Sequence, residues 1–143
     1  MSWGTDSRVN KTIDVAAGLV FRAGQILITQ RRPGDHLGLL WEFPGGKVEP
    51  NETFEHCLIR ELREEIGIQV TVGDQIEEIT HAYPEKTVRL RFFQCTLQSG
   101  EPQPIHCHAL AWVTSQTISE FQFPAADEQL IRKLQSDQSL WVK

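Results

Sequence analysis

The stretch that most constrains this chain runs from Gly45 to Ile68, GGKVEPNETFEHCLIRELREEIGI. Its second half repeats at helical spacing. At about 100° per residue, Phe54, Leu58, Leu62 and Ile66 fall on one stripe, and Cys57, Glu61, Glu64 and Glu65 on the stripe beside it. The spacing predicts a helix starting near Asn51 or Thr53 and stopping at Gly67, a residue suited to a left-handed cap. Such a helix packs one flank and crowds carboxylates along the next, where like charges repel by roughly a few tenths of a kcal/mol per pair. A solvated acidic face is one reading. The other is a seat for a hard divalent cation, Mg²⁺ or Mn²⁺, bound through few oxygens with positions left for water and phosphate. Pro44-Gly45-Gly46 just upstream favours the cation, because glycines let the backbone turn sharply and approach a ligand closely.

At 143 residues the chain is expected to form one domain over 12–143, with a flexible polar tail at 1–11. A net charge of −5 argues against a nucleic-acid polymer as partner, since phosphate-backbone binding relies on many Lys and Arg. It leaves room for a single nucleotide. The start lacks the apolar segment of a signal peptide, and no stretch reaches membrane-spanning length. Cys57, Cys95 and Cys107 are odd in number and without motif spacing, which points to free thiols in a reducing cytoplasm. The expected assembly is a monomer or homodimer.

Along the chain, 12–21 reads as a strand buried on both faces, and 25–30 as its hairpin partner. A loop at 31–40 leads to a short strand at 41–43 and the glycine turn. After the helix, 68–79 reads as strand, turn at Gly73-Asp74, and second strand. Residues 87–97 alternate as a strand, and 109–113 form another with Trp112 packed. A helical turn is expected at 117–121, and a last helix over 125–135 after Pro124, with Leu130, Ile131 and Leu134 inward. Strands mixed with two helices indicate an α+β layered sandwich.

From Gly46 the order is glycine, five residues, Glu52, seven residues, Arg60-Glu61-Leu62, one residue, Glu64-Glu65, one residue, Gly67-Ile68. This matches the signature of the Nudix family at all nine specified positions over 23 residues, and the chain is thereby identified as resembling that family. Trp41 to Lys47 (WEFPGGK) and Phe123 to Glu128 (FPAADE) extend the resemblance to MutT-like members, over about residues 12 to 135. The resemblance implies an α/β/α sandwich with a mixed sheet between helices, and hydrolysis of a nucleoside diphosphate linked to another group. Catalysis of that kind is mostly positioning and charge neutralisation. Carried over by position, Glu61, Glu64 and Glu65 would be metal ligands, with Glu61 and Glu64 also catalytic and the Gly45 carbonyl a further ligand. Glu52 would support them and Arg60 would orient them. Lys47 on the glycine turn would meet phosphate.

One departure stands out. MutT-type members carry a further Glu six residues before a Trp, and counting back from Trp112 gives His106, in His106-Cys107-His108. A histidine, a loop acid such as Glu101, or no ligand at all can stand there. A zinc site built from that run is disfavoured by its spacing.

For the base, Asp127 falls where the bacterial MutT enzyme has Asn and several relatives have Asp. An ionised Asp only accepts hydrogen bonds, which suits guanine or cytosine donors and favours 8-oxo-dGTP, dGTP or (d)CTP. A buried, protonated Asp127 would also donate, and a helix-capping Asp127 would touch no base. Phe43, Tyr83 and Trp41 are candidates to stack on a base or to fill the core. Arg31 and Arg32 are candidates for phosphate, or belong to a solvated loop; Arg89 and Arg91 fit an exposed sheet face. The reading that results is a (deoxy)nucleoside triphosphate pyrophosphohydrolase favouring 8-oxo-dGTP. A CTP/dCTP-preferring enzyme is the nearest alternative and a non-catalytic nucleotide sensor a more distant one.

Overall fold

A computed structural model describes residues 11–141. Chain order runs β1 (Lys11–Arg22), β2 (Gln25–Gln30), β3 (Trp41–Glu42), β4 (Gly45–Lys47), α1 (Phe54–Ile66), β5 (Gln69–Ala82), β6 (Lys86–Ser99), β7 (Ala109–Val113) and α2 (Glu128–Ser136). The tail expected at 1–11 falls outside the described residues except for Lys11, which opens β1 opposite Lys86. The seven strands form one mixed sheet in the order β3-β2-β1-β6-β5, with β4 also on β1 and β7 also on β2. β1 runs parallel to β6 and antiparallel to β2 and β4.

From Ala16 to Phe21, β1 has no polar face because both of its faces are covered. Ala17, Leu19 and Phe21 enter one core with Leu130 and Leu134 of α2. Ala16 and Val20 enter the other, with Cys57, Leu58, Leu62 and Ile66 of α1. Phe92 and Phe93 divide between the two cores in the same way. The fold is thus the α+β sandwich with a mixed sheet between helices.

Helix α1 is delimited by local chemistry. The Thr53 hydroxyl accepts from the His56 amide at 3.0 Å, and Gly67, at φ 72°, donates its amide to the Arg63 and Leu62 carbonyls. Leu58, Leu62 and Ile66 are fully buried, each contributing on the order of 2 kcal/mol, whereas Phe54 at the N-terminal end is only partly covered.

The structure corrects three elements. Gly45 to Lys47, read as a turn, is strand β4, paired with Ala17 to Val15. Residues 69–82 form one long strand, not two: β6 passes straight beside it, and Gly73-Asp74 is absorbed as a shift in register between Val72 and Gln75. The last helix proper starts at Glu128, and Ala125–Asp127 form a separate 3-10 turn before it. A further 3-10 turn, Gln138–Trp141, was not expected. It buries Trp141 edge-on to Phe21 at 5.3 Å, with the indole N–H donating to the Leu134 carbonyl at 2.7 Å. No helix among the described residues is long and apolar enough to cross a membrane.

Candidate active site

One cavity of about 470 Å³ gathers most of the residues singled out above. From β4 and α1 come Gly45, Gly46, Lys47, Glu61 and Glu65. From β3, the residue that follows it and the turn before α2 come Glu42, Phe43, Ala126 and Asp127. Arg31, Arg32, His36, Tyr83, Lys86, His106 and Cys107 also line it. Glu52, Arg60 and Glu64 stand outside this wall.

Arg60 ties the acids of α1 together. Its Nε and Nη2 donate to the two oxygens of Glu52 at 2.7 and 3.0 Å. Its Nη1 donates to Glu61 at 3.0 Å and to Glu64 at 3.3 Å. The hydrogen bonds from Arg60 hold the Glu52 carboxyl down at about 2, and Glu52 in turn raises the pKa of Arg60. Beneath this network the buried Cys57 thiol donates to the Gly46 and Lys47 carbonyls at 3.4 and 3.3 Å, fastening α1 to β4. The side chain of Glu64 is exposed and reaches only Arg60.

Glu61 and Glu65 face the cavity together. Burial pushes the Glu65 carboxyl up to about 8, and the charge of Glu61 and a hydrogen bond between the two side chains push the same way. The backbone at Gly46 lies against Glu61, so that a Cβ there would stand 2.6 Å from each carboxylate oxygen. A half-buried pair of carboxyls crowded against a side-chain-free backbone is the donor set a hard cation relieves. Among the described residues no three His, Cys, Asp or Glu side chains are gathered into a group that could hold a metal ion. The arrangement is open, as suits a cation held by one or two carboxylates and completed by substrate phosphate. The residues that fit such an ion are Glu61, Glu65 and the backbone of Gly45.

Asp127 is 6% exposed and makes no side-chain cap bond to α2, so its place is the cavity wall and not a helix cap. Burial, and then the charge of Glu42, push its carboxyl up to about 7. Near neutral pH it is therefore not fixed as a pure acceptor. Phe43 is buried against Phe123 and Phe92 while one side lines the cavity. Tyr83 lines the cavity between His81 and His36, whose rings lie 4.6 and 6.2 Å from its own. Trp41 packs edge-on to Phe121 and is not a cavity residue.

Glu42 is the residue that sequence reading missed. It lies in the cavity wall, its pKa raised by burial against the opposing pull of Arg31. The signal was present: a single carboxylate between Trp41 and Phe43 in an otherwise apolar strand needs a reason to be there. Arg31 is its partner, donating from Nη1 to Glu42 and from Nε to the His36 carbonyl, both at 2.7 Å. The guanidinium thus braces the 31–40 loop. Arg32 touches only the Ile105 carbonyl, at 3.3 Å, and Lys47 is exposed.

Of the residues weighed for the departing ligand, Glu101 is committed elsewhere, in a two-point pair with Arg22 at 3.1 and 3.3 Å. His106 and Cys107 reach the cavity, and the His106 amide donates to the Glu65 carbonyl at 3.0 Å. Burial raises the Cys107 pKa, and the charges of Glu65 and Glu42 add to it. His108 is not a cavity residue; its amide bonds the Gln30 carbonyl. Arg89 pairs with Asp14, and Arg91 with Glu78 and the face of Phe54, as an exposed sheet face requires.

The sequence profile of the NUDIX domain matches residues 16–133. An 8-oxo-dGTP diphosphatase of Haemophilus influenzae is 39% identical over 125 residues, covering 87% of this chain and 92% of that one. A CTP pyrophosphohydrolase of Escherichia coli is 36% identical over 126 residues, covering 85% and 90%. Among solved structures, one from a study of MutT from Aliivibrio salmonicida and Vibrio cholerae superposes with a TM-score of 0.74 at 30% identity, covering 87% and 97%.

Proposed function

The chain belongs to the NUDIX family of hydrolases, and on that premise we propose that it is a metal-dependent pyrophosphohydrolase acting on 8-oxo-dGTP. The products would be the nucleoside monophosphate and pyrophosphate. The observation that carries the reading is the single cavity holding Glu61, Glu65 and Gly46 together with Phe43 and Asp127. It offers oxygen donors for a cation, and an aromatic and a carboxyl for a base.

A Mg²⁺ or Mn²⁺ ion at Glu61, Glu65 and the Gly45 carbonyl would supply charge neutralisation on the phosphate oxygens and acidify a bound water. The chain's own residues do the rest. Arg60 fixes the Glu61 carboxylate, with Glu52 fixing Arg60 and Glu64 bridging from the exposed flank. Lys47 and Arg32 offer positive charge to phosphate, while Arg31 holds the 31–40 loop through Glu42. Phe43 presents its ring to the base, and Tyr83 flanks it. Asp127 near its midpoint presents a donor and an acceptor when protonated and two acceptors when ionised.

The relative that hydrolyses CTP and the acceptor form of Asp127 favour a second reading, preference for CTP or dCTP. The setting we propose is the cytoplasm, where the three free thiols persist, with the protein acting on nucleotides as a monomer or homodimer. Pyrophosphate release measured side by side for 8-oxo-dGTP, dGTP, CTP, 5-methyl-dCTP and ADP-ribose tests the proposal. Highest kcat/KM on 8-oxo-dGTP supports it. Highest kcat/KM on CTP favours the second reading, and preference for ADP-ribose removes both.

A further inference from the structure

Strand β4 offers its neighbours mostly backbone. Gly45 and Gly46 have no side chains, and both are packed to contact: a Cβ at 45 would run into the Ala16 carbonyl, and one at 46 into the Glu61 carboxylate. β1 holds one edge of the strand through the pairs Ala17–Gly45, Ala16–Gly46 and Val15–Lys47. On the α1 side the carbonyls of Gly46 and Lys47 serve as handles, and Cys57 takes both, its Sγ 3.4 Å from the first and 3.3 Å from the second. Arg60 also reaches the Lys47 carbonyl, at 3.3 Å, but the rest of its guanidinium is given to Glu52, Glu61 and Glu64. We propose that Cys57 is a positioning residue for the reaction: its S–H holds β4 at the separation from α1 at which Gly46 sets the Glu61 carboxylate in place. The inference rests on the pyrophosphohydrolase reading above and adds to it a residue that acts through two others.

Two carbonyl oxygens are matched by a donor, and the thiol supplies one proton shared between them. The Cys57 side chain is fully buried, and burial pushes the thiol up to about 12, so the proton stays in place at neutral pH. Cys57 stands one helical turn before Glu61, so the two meet the same short strand from one face of α1. Movement of β4 away from the thiol therefore opens the contact between Gly46 and Glu61. An alanine at 57 fits the space but has no donor. It leaves β4 with its pairing to β1 and the Arg60 contact alone.

Cys95 supplies the matched control. It is buried in the same core, and its thiol reaches only the Phe93 carbonyl of its own strand, at 3.6 Å. The test compares Cys57→Ala, Cys57→Ser and Cys95→Ala in the intact chain, using the best substrate of the nucleotide panel. It reads steady-state kinetics, the urea midpoint and amide hydrogen exchange over 45–47. Cys57→Ala is expected to lower kcat about tenfold with little change in KM, short of the roughly 100-fold that a 1 Å misplacement costs. Exchange over 45–47 should quicken with it. Cys57→Ser, whose hydroxyl can donate to the same carbonyls, should recover most of the kcat. Cys95→Ala should lower the urea midpoint as Cys57→Ala does, yet keep wild-type kcat and wild-type exchange in β4. Equal kcat in Cys57→Ala and Cys95→Ala would overturn the inference, as would unchanged β4 exchange in Cys57→Ala. Should the wild type release no pyrophosphate from any nucleotide of the panel, the reaction reading itself fails, and the positioning role with it.

Discussion

Gly46 lies so close against Glu61 that a Cβ at position 46 would stand 2.6 Å from each oxygen of the Glu61 carboxylate. The contact couples a backbone position on β4 to the acid that α1 delivers to the cavity. Gly46→Ala should therefore displace Glu61 without disturbing either core. A misplacement of about 1 Å at a reacting centre costs on the order of 100-fold in rate. The expected outcome is a loss of that size in kcat, with an unchanged circular dichroism spectrum.

Arg60 joins Glu52 to Glu61 with a planar fork that an ammonium cannot reproduce. Arg60→Lys keeps the charge and loses the simultaneous contacts. Urea denaturation should show a loss of roughly 1–3 kcal/mol, and kcat should fall with little change in KM. An equal effect on both constants would place Arg60 on the substrate instead.

The cavity separates the acids of α1. Glu61 and Glu65 line it, whereas Glu64 is exposed and bonded only to Arg60. Glu61→Gln is expected to lower turnover by about 1,000-fold or more, in the range seen when a charge-stabilising group is removed. Glu64→Gln should cost at least about tenfold less than that. Steady-state kinetics on the two variants gives the order directly.

Asp127 makes pH the informative variable. Its folded pKa of about 7 lies above its ordinary 3.8, so the native state holds this proton more tightly than the unfolded chain. Its contribution to stability is fully present below pH 3.8, declines as pH rises to about 7, and is flat above. Asp127→Asn removes that decline, which melting temperatures across this range will show. The ratio of kcat/KM for 8-oxo-dGTP to that for CTP should likewise change with a midpoint near 7 in the wild type and stay level in the variant.

Trp141 closes the core under α2, with its indole bonded to Leu134 and its ring against Phe21. Trp141→Ala should cost about 3–5 kcal/mol, seen as a lower urea midpoint. The metal affinity of the other face should be unchanged.

Sequence alone determined helix α1, its two stripes and its stop at Gly67, and left its start open between Asn51 and Thr53. These depend on residues within a few turns of one another, and helical periodicity carries that information in full. It also determined β1, β2, β6 and β7, whose apolar runs leave little choice. Tertiary structure decided what periodicity cannot express. Glu64 and Glu65 are adjacent on the same acidic stripe, and only the position of β4 and of the 106–107 segment makes one a cavity residue and the other a surface one. Arg31 reads as a free cation until Glu42, eleven residues later, is seen to hold it. The protonation of Asp127 follows from burial beside Glu42, a neighbour distant in sequence. In each case the deciding term is electrostatic or steric contact between segments brought together by the sheet, and such contacts have no period along the chain.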